Sequence, residues 1–415
     1  IVMFNDSDEF KESIKSIYFT LYSFSLAVAV GSALLLFGVV YGIHHYVLDV
    51  HLIYTHFPVI AAIFVARILH GLCLDKIRAE EKSVLYTSIN LTRLLLTLCF
   101  TIFFVAYMEH GVPGVLYGYL IGDGFIAIYV SFQQFKGMAA RIRKDIIPVS
   151  LKFGVPLIFT SVAFMILNVS DRYFIKFFHD SEQVALYDLG YRVAGVLNMF
   201  IIMPFTLTLM PSAYKMYGKP GDTRYYSKLL TYFTFALMWA GLALSLFAKE
   251  LLMIFALNKD YWPAYTVVPL VILGYIFSGM RIFAVLGQFL TRNLKEVAST
   301  SLGAAILNII LNFIFIPKYG MMAAAYTTLA SFFILYIVSL FISGKYYTIP
   351  FEHGKVALLI VLGTVMYILF AWLGPEELIN GIVIKIVLLA LFPFLLYPLG
   401  FYEKIELDTM KKLIK

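Results

Sequence analysis

The chain has 415 residues, 61% of them hydrophobic and 14% charged, with a formal net charge of +7 and a mean hydropathy of +0.86. Soluble domains carry nearer a quarter charged residues, and no single buried core hides this much apolar surface, so the solvent for most of the chain is lipid. The positive charge does not point to nucleic acid, because the Lys and Arg gather on one side of the apolar runs.

The runs are near twenty residues long and do not alternate in polarity, which predicts helices and excludes a barrel. Twelve spans are expected, near 16–43, 55–76, 83–108, 112–135, 149–178, 185–211, 225–256, 265–290, 295–316, 320–343, 355–374 and 380–400. Threading them across a bilayer puts 22 of the 32 Lys and Arg on the side where the chain starts and four on the other, with six inside spans. By the positive-inside rule both ends are therefore cytoplasmic. The loops on both faces are short. The longest outer ones, around 44–54 and 249–264, could not hold a catalytic domain. The basic inner run at 136–152 reads as a linker.

Cys73 and Cys99 both lie in apolar runs and read as buried packing residues, without a disulfide or a metal. His44, His45, His51 and His56 share one outer loop, with Asp49 as the sole carboxylate there, which is a poor metal set. Pro156, Pro204 and Pro211, with Gly154, Gly274, Gly279 and Gly287, are expected to bend the spans that contain them.

An internal repeat runs through the chain. FVARILHGLCLDKIRAEEK carries Arg67 and Arg78, and FSGMRIFAVLGQFLTRNLKE carries Arg281 and Arg292, with the same spacing of eleven. Further on, HGVPGVLY at 110–117 parallels YGMMAAAY at 319–326. The match aligns 55–135 with 265–343 in the same membrane orientation, which is a transporter architecture. Two spans, 149–178 and 185–211, precede the matching part of the second half, so by symmetry two helices are expected before Ile1. The last two spans have no counterpart. The expected division is 1–143 as a first lobe lacking its first two helices, 144–345 as a second lobe, and 346–415 as an appended helix pair with a cytoplasmic tail.

The run DRYFIKFF, then ALYDLGYRVAGVLNMFIIMPF, then PSAYK, with the Gly-x-x-Ala-Ala-Ala-Tyr opening of the span at 320–343, resembles the polysaccharide-exporter branch of the multidrug/oligosaccharidyl-lipid/polysaccharide (MOP) superfamily. Those are the O-antigen-type flippases of lipid-linked oligosaccharides. The resemblance implies an all-α integral membrane fold, fourteen spans at full length, with two pseudo-twofold-related lobes around a central cationic cavity and a terminal helix pair. It also implies alternating access for a lipid-diphosphate-sugar headgroup.

The candidate site residues follow from charge in spans, where each ion needs a partner or water. Arg67 and Arg281 sit near mid-depth on equivalent helices and could grip a diphosphate through fork-shaped, permanent charges; the alternative is a carbonyl partner or snorkelling. Arg93 either lines the cavity or pairs with Asp123. Asp123, between two glycines, either carries a coupling proton or sodium or is the counter-ion of Arg93. Asp171 and Arg172 are adjacent and point apart, so each needs another partner, whereas Asp188 and Arg192 are four apart and can pair. Together these four could form an outer gate. Lys385, on the terminal pair, is expected to snorkel towards lipid phosphate.

The function expected is flipping of a polyprenyl-diphosphate-linked oligosaccharide to the outer leaflet of a bacterial inner membrane, for cell-surface polysaccharide biosynthesis. No cofactor is expected beyond a proton or sodium gradient. The partners are the cargo, membrane lipids and glycan-assembly proteins. The alternatives are a multidrug antiporter of the same fold, which would want carboxylates, and a glycan polymerase or glycosyltransferase, which would want a sizeable loop.

Overall fold

The computed structural model describes residues 14–46, 51–80, 82–135, 141–256, 258–375 and 378–403. Among these residues every regular element is a helix, and ten helices are long and apolar enough to cross a membrane. Their outward faces are apolar: Leu34 is 68% exposed, Ile128 74% and Phe177 79%. Side chains of this kind belong in lipid, and the protein is a multi-pass integral membrane protein.

The chain divides into two compact units, 1–152 and 153–415. In unit 1 the helices are α1 (Ile14–Tyr46), α2 (His51–Ala79), α3 (Ser83–Ile102) and α4 (Gly111–Phe135). A π-helical turn, Phe103–Tyr107, extends α3. The core is small and is built from Tyr22, Cys73, Leu74, Ile77, Ile89, Ile126 and Val130. Close packing of α4 on α3 depends on Gly118 and Gly122. A Cβ there would lie 2.1 Å from Thr101 Oγ1 and 2.0 Å from Thr97 Oγ1. Cys99, expected to be buried, is exposed on α3, whose apolar outer face is free to meet lipid.

The division falls inside α5 (Ile146–Phe178), which begins three residues before the expected span. Unit 2 continues with α6 (Ser181–Leu197), a π-helical turn at Asn198–Ile202, and α7 (Met203–Met216). The expected span 185–211 is thus one run whose hydrogen-bond register widens just before Pro204, which has no N–H to give. α8 (Asp222–Leu246) then packs against α10 (Val268–Ala284) and α13 (His353–Leu373).

Two expected spans are broken. The run 225–256 stops at Phe247 and resumes as α9 (Ala248–Phe255). The run 265–290 is a 3-10 segment, Lys259–Thr266, followed by α10, a break at Val285, and α11 (Leu286–Leu290). Apolar content continues through these breaks, so hydropathy alone does not show them. Arg292, aligned with the helical Arg78, lies beyond α11 in a left-handed turn at φ 62°.

The longest helix, α12 (Leu294–Ser343), contains both expected spans 295–316 and 320–343, joined at a kink where Gly320 has φ 56° and ψ −139°. Its repeat partner Gly111 has φ 57°. Both positions need the left-handed region that glycine enters without steric cost. The aligned glycines thus share a positive φ. The last helix among the described residues is α14 (Leu378–Leu395), and both α13 and α14 pack on α8.

Ion pairs hold that terminal pair at the two ends of α8. At its start, Lys228 binds Glu352 at 2.7 Å and also Glu403, and Lys355 binds Glu352 at 3.3 Å. Beyond its other end, Lys385 binds Glu250 at 2.5 Å, with its ammonium above the Phe247 and Phe370 rings. Lys385 is therefore not a snorkelling residue. It is 5% exposed and its partner comes from α9.

Candidate functional site

In unit 1 the apolar stretches of α2, α3 and α4 bring three expected residues together. Asp123, on α4 beside the close α3 contact, has a fully buried side chain. Its Oδ2 accepts from Arg67 Nε of α2 at 2.7 Å, and its Oδ1 accepts from Arg93 of α3 at 3.0 Å. The Arg67 guanidinium also lies 4.8 Å above the Tyr119 ring, and its side chain is 48% exposed. One carboxylate serves two guanidiniums, so the cluster carries a net charge of plus one within the spans. Arg93 is paired, as one expected reading had it, and Asp123 is at once its counter-ion and that of Arg67.

Arg281, the repeat partner of Arg67, is 5% exposed. It donates to Ser339 Oγ at 3.2 Å, to Ser301 Oγ at 2.7 Å and, as the alternative reading had it, to a carbonyl, that of Val297 at 3.4 Å; its guanidinium lies 5.2 Å from the centre of the Phe164 ring. No carboxylate pairs with it among the described residues. The repeat therefore conserves the residue type and not its surroundings.

Asp171 and Arg172 point apart. Asp171 is fully buried on α5 and is held by neutral donors alone. Asn312 Nδ2 donates to Oδ1 at 2.6 Å, while Tyr187 and Thr328 donate to Oδ2 at 2.5 and 2.6 Å. A further layer follows: Thr327 donates to Asn312 Oδ1, and Asn308 Oδ1 accepts from Asn312 and Ser170 at 3.1 Å each. The Nδ2 of Asn308 is buried without a partner among the described residues. The sequence reading missed Tyr187, Asn308, Asn312, Thr327 and Thr328. The available signal was two asparagines four apart, on one face of an otherwise apolar run.

Arg172 turns the other way, donating to Asp188 Oδ1 at 2.7 Å and to the Asn168 carbonyl at 2.6 Å. Arg192 takes Asp188 Oδ2 at 2.7 Å. The expected Asp188–Arg192 pair is present, as half of an Arg–Asp–Arg chain.

The fold has counterparts among solved membrane proteins. The lipid II flippase MurJ in an inward closed conformation matches with a TM-score of 0.67 at 16% identity, over 95% of this chain and 86% of that one. An outward-facing multidrug resistance MATE family transporter of the MOP superfamily matches with a TM-score of 0.64 at 14% identity, over 87% and 82%. The fold is that of the MOP superfamily. Within it, the family model described as polysaccharide biosynthesis protein matches residues 4–216, and the chain belongs to that family. An uncharacterized membrane protein of Methanocaldococcus jannaschii is 22% identical over 333 residues, which is 76% of this chain and 64% of that relative, so the chain spans less than two-thirds of its length.

Proposed function

We propose that the protein is a transporter that flips a polyprenyl-diphosphate-linked oligosaccharide from the cytoplasmic to the outer leaflet of a bacterial inner membrane, by alternating access, for cell-surface polysaccharide biosynthesis. The observation that carries this reading is the Arg67–Asp123–Arg93 cluster: two guanidiniums on one buried carboxylate, with Arg67 half exposed. A phosphate approaching it meets a permanent, preoriented positive charge, and Asp123 keeps both forks in place while they wait. The family's description as polysaccharide biosynthesis protein supports a glycan cargo, and a diphosphate on it would be the anion. Within unit 2, Arg281, which donates to Ser301, Ser339 and the Val297 carbonyl, is a further candidate contact for an anion. No chemistry on the cargo is required.

A cationic drug would want an unoccupied carboxylate within the spans. Asp123 and Asp188 each carry two arginines, which leaves them no charge to offer a cation. This favours the anionic cargo.

Coupling is assigned to Asp171, with Arg172, Asp188 and Arg192 as the gate beside it. A fully buried carboxylate without a cationic partner is neutralised by a proton or a small cation. Tyr187 and Thr328 set hydroxyl groups against it, and Asn312 its amide nitrogen.

The test uses the full-length protein in liposomes with radiolabelled lipid-linked oligosaccharide. Arg67→Gln with Arg93→Gln should slow translocation by about tenfold to a hundredfold, the loss expected when charged hydrogen bonds to cargo disappear. Wild-type translocation by that double variant would remove the reading.

A further inference from the structure

The end of unit 2 where α5 turns into α6 carries a second cationic feature. Asp188 takes one donor from Arg172 and one from Arg192, so this chain of three charges is also positive by one. Arg172 is the anchored member, bound to the Asn168 carbonyl and stacked 4.6 Å over Tyr191. Arg192 is the outer member. Its Nε is committed to Asp188, its side chain is 78% exposed, and its two terminal nitrogens have no partner among the described residues. The fork is thus aimed by one bond and open on its donor face.

A cavity of about 420 Å³ lies beside it, bounded by Asp188, Leu189, Arg192, Phe255, Asn258 and Tyr261. This lies within the range of small-ligand sites, about 300–1,000 Å³. Its far wall is the 3-10 segment, and three features seat that wall. At Gly190 a Cβ would meet Val267 Cγ2 at 2.4 Å and the Ala264 carbonyl at 2.6 Å, so only glycine lets α6 approach this closely. Asn258 Oδ1 caps the segment by accepting from Asp260 N at 3.1 Å. The Trp262 indole donates to the Ala256 carbonyl at 3.3 Å. Tyr261 is left 40% exposed at the rim.

An aromatic ring and an open guanidinium fork at the rim of a small cavity match the two sides of an acidic sugar. The ring packs on the apolar C–H face of a pyranose, and the fork takes a carboxylate through two parallel bonds. We propose that this cavity is a subsite for an acidic sugar residue of the glycan, built wholly within unit 2. The proposal rests on the reading of the cargo as a glycan, and its test is a binding measurement without transport.

Full-length protein in phosphatidylcholine nanodiscs is titrated calorimetrically with trigalacturonate, and with maltotriose as the neutral match. Trigalacturonate should bind saturably, and maltotriose about tenfold more weakly, the loss of one charged bidentate contact. Arg192→Gln and Tyr261→Ala should each weaken trigalacturonate binding by about tenfold. Arg192→Lys, which keeps the charge and loses the fork, should fall between Arg192→Gln and the unmodified protein and guards against misfolding. The idea is overturned if trigalacturonate does not bind, if maltotriose binds as well, or if Arg192→Gln changes nothing. It is equally overturned if Arg192→Gln alters only the retention of phosphatidylglycerol in anionic nanodiscs, which would make Arg192 a lipid anchor. The titration involves no transport, so trigalacturonate binding lost with translocation intact, or the reverse, tells failure of this proposal from failure of the transport reading.

Discussion

Each unit buries a carboxylate within a span, and the two satisfy it by opposite means. Asp123 gives both oxygens to arginines, whereas Asp171 gives both to neutral hydroxyl and amide donors. The arginines differ in the same sense. Arg67 is half exposed and ion-paired, and its repeat partner Arg281 is enclosed by serines and a phenylalanine. A preserved spacing therefore does not preserve a task. In unit 1 the charge is locked into a group that stays positive. In unit 2 a carboxylate is held by neutral donors, and a guanidinium has no counter-charge among the described residues.

This contrast can be broken by mutation, and the largest effect is expected in unit 1. Removing both arginines, Arg67→Ala with Arg93→Ala, strands Asp123 in the spans and should destabilise the protein by about 3–5 kcal/mol, the cost of breaking a buried pair from one side. Each single change should cost much less, because the other arginine remains, and adding Asp123→Asn to the double variant should restore much of the loss. Thermal melting of the purified variants checks this; simply additive single effects would mean that the arginines do not share Asp123.

Next comes Asp171→Ala, which leaves Tyr187 and Thr328 with no acceptor and Asn312 with only Asn308, and should cost about 1–3 kcal/mol. Asp171→Asn keeps the shape and should melt closer to the unmodified protein while removing the dependence of transport on an ion gradient. Gradient-driven transport retained by Asp171→Asn would move the coupling elsewhere. Smaller again is Arg281→Met. No carboxylate is orphaned and the volume is similar, so stability should change by no more than about 1 kcal/mol. A loss as large as that of the unit 1 double variant would reveal a counter-charge for Arg281.

The smallest effect is expected from pH at the clasp that holds the terminal helix pair. Burial works to raise the Glu352 carboxyl, but the Lys228 ammonium and the Thr231 and Lys355 contacts outweigh it and hold the group below its ordinary 4.5. The hydrogen bond from Lys228 likewise holds Glu403 below 4.5. Both groups are ionised more readily in the folded state, so their contribution is present above pH 4.5 and is lost as pH falls through the lowered values. The melting temperature should drop modestly across that acid window, and Lys228→Met should flatten the drop. An unchanged slope in Lys228→Met would show that the clasp does not report on folding.

Much of the fold was legible because the solvent imposes it. A run of about twenty apolar residues must close its own backbone hydrogen bonds in lipid, and a helix does that without help from elsewhere. Local geometry was legible for the same reason: Asp188 and Arg192 are one turn apart, and Gly111 and Gly320 share a left-handed backbone and a place in the repeat. The short breaks at Phe247 and Val285 were hidden, because the apolar content runs straight through them.

By itself, then, the sequence determined a helical membrane protein with a repeat, a family and a short list of charges that had to find partners. Only the tertiary structure decided which partners they found. Asp171 meets Asn312 and Thr328 across 141 and 157 residues of chain, and Lys385 meets Glu250 across 135. Hydropathy and spacing report how costly a polar group is inside a span. They carry no term for what stands opposite it once the helices have packed, and that is where the cost is met.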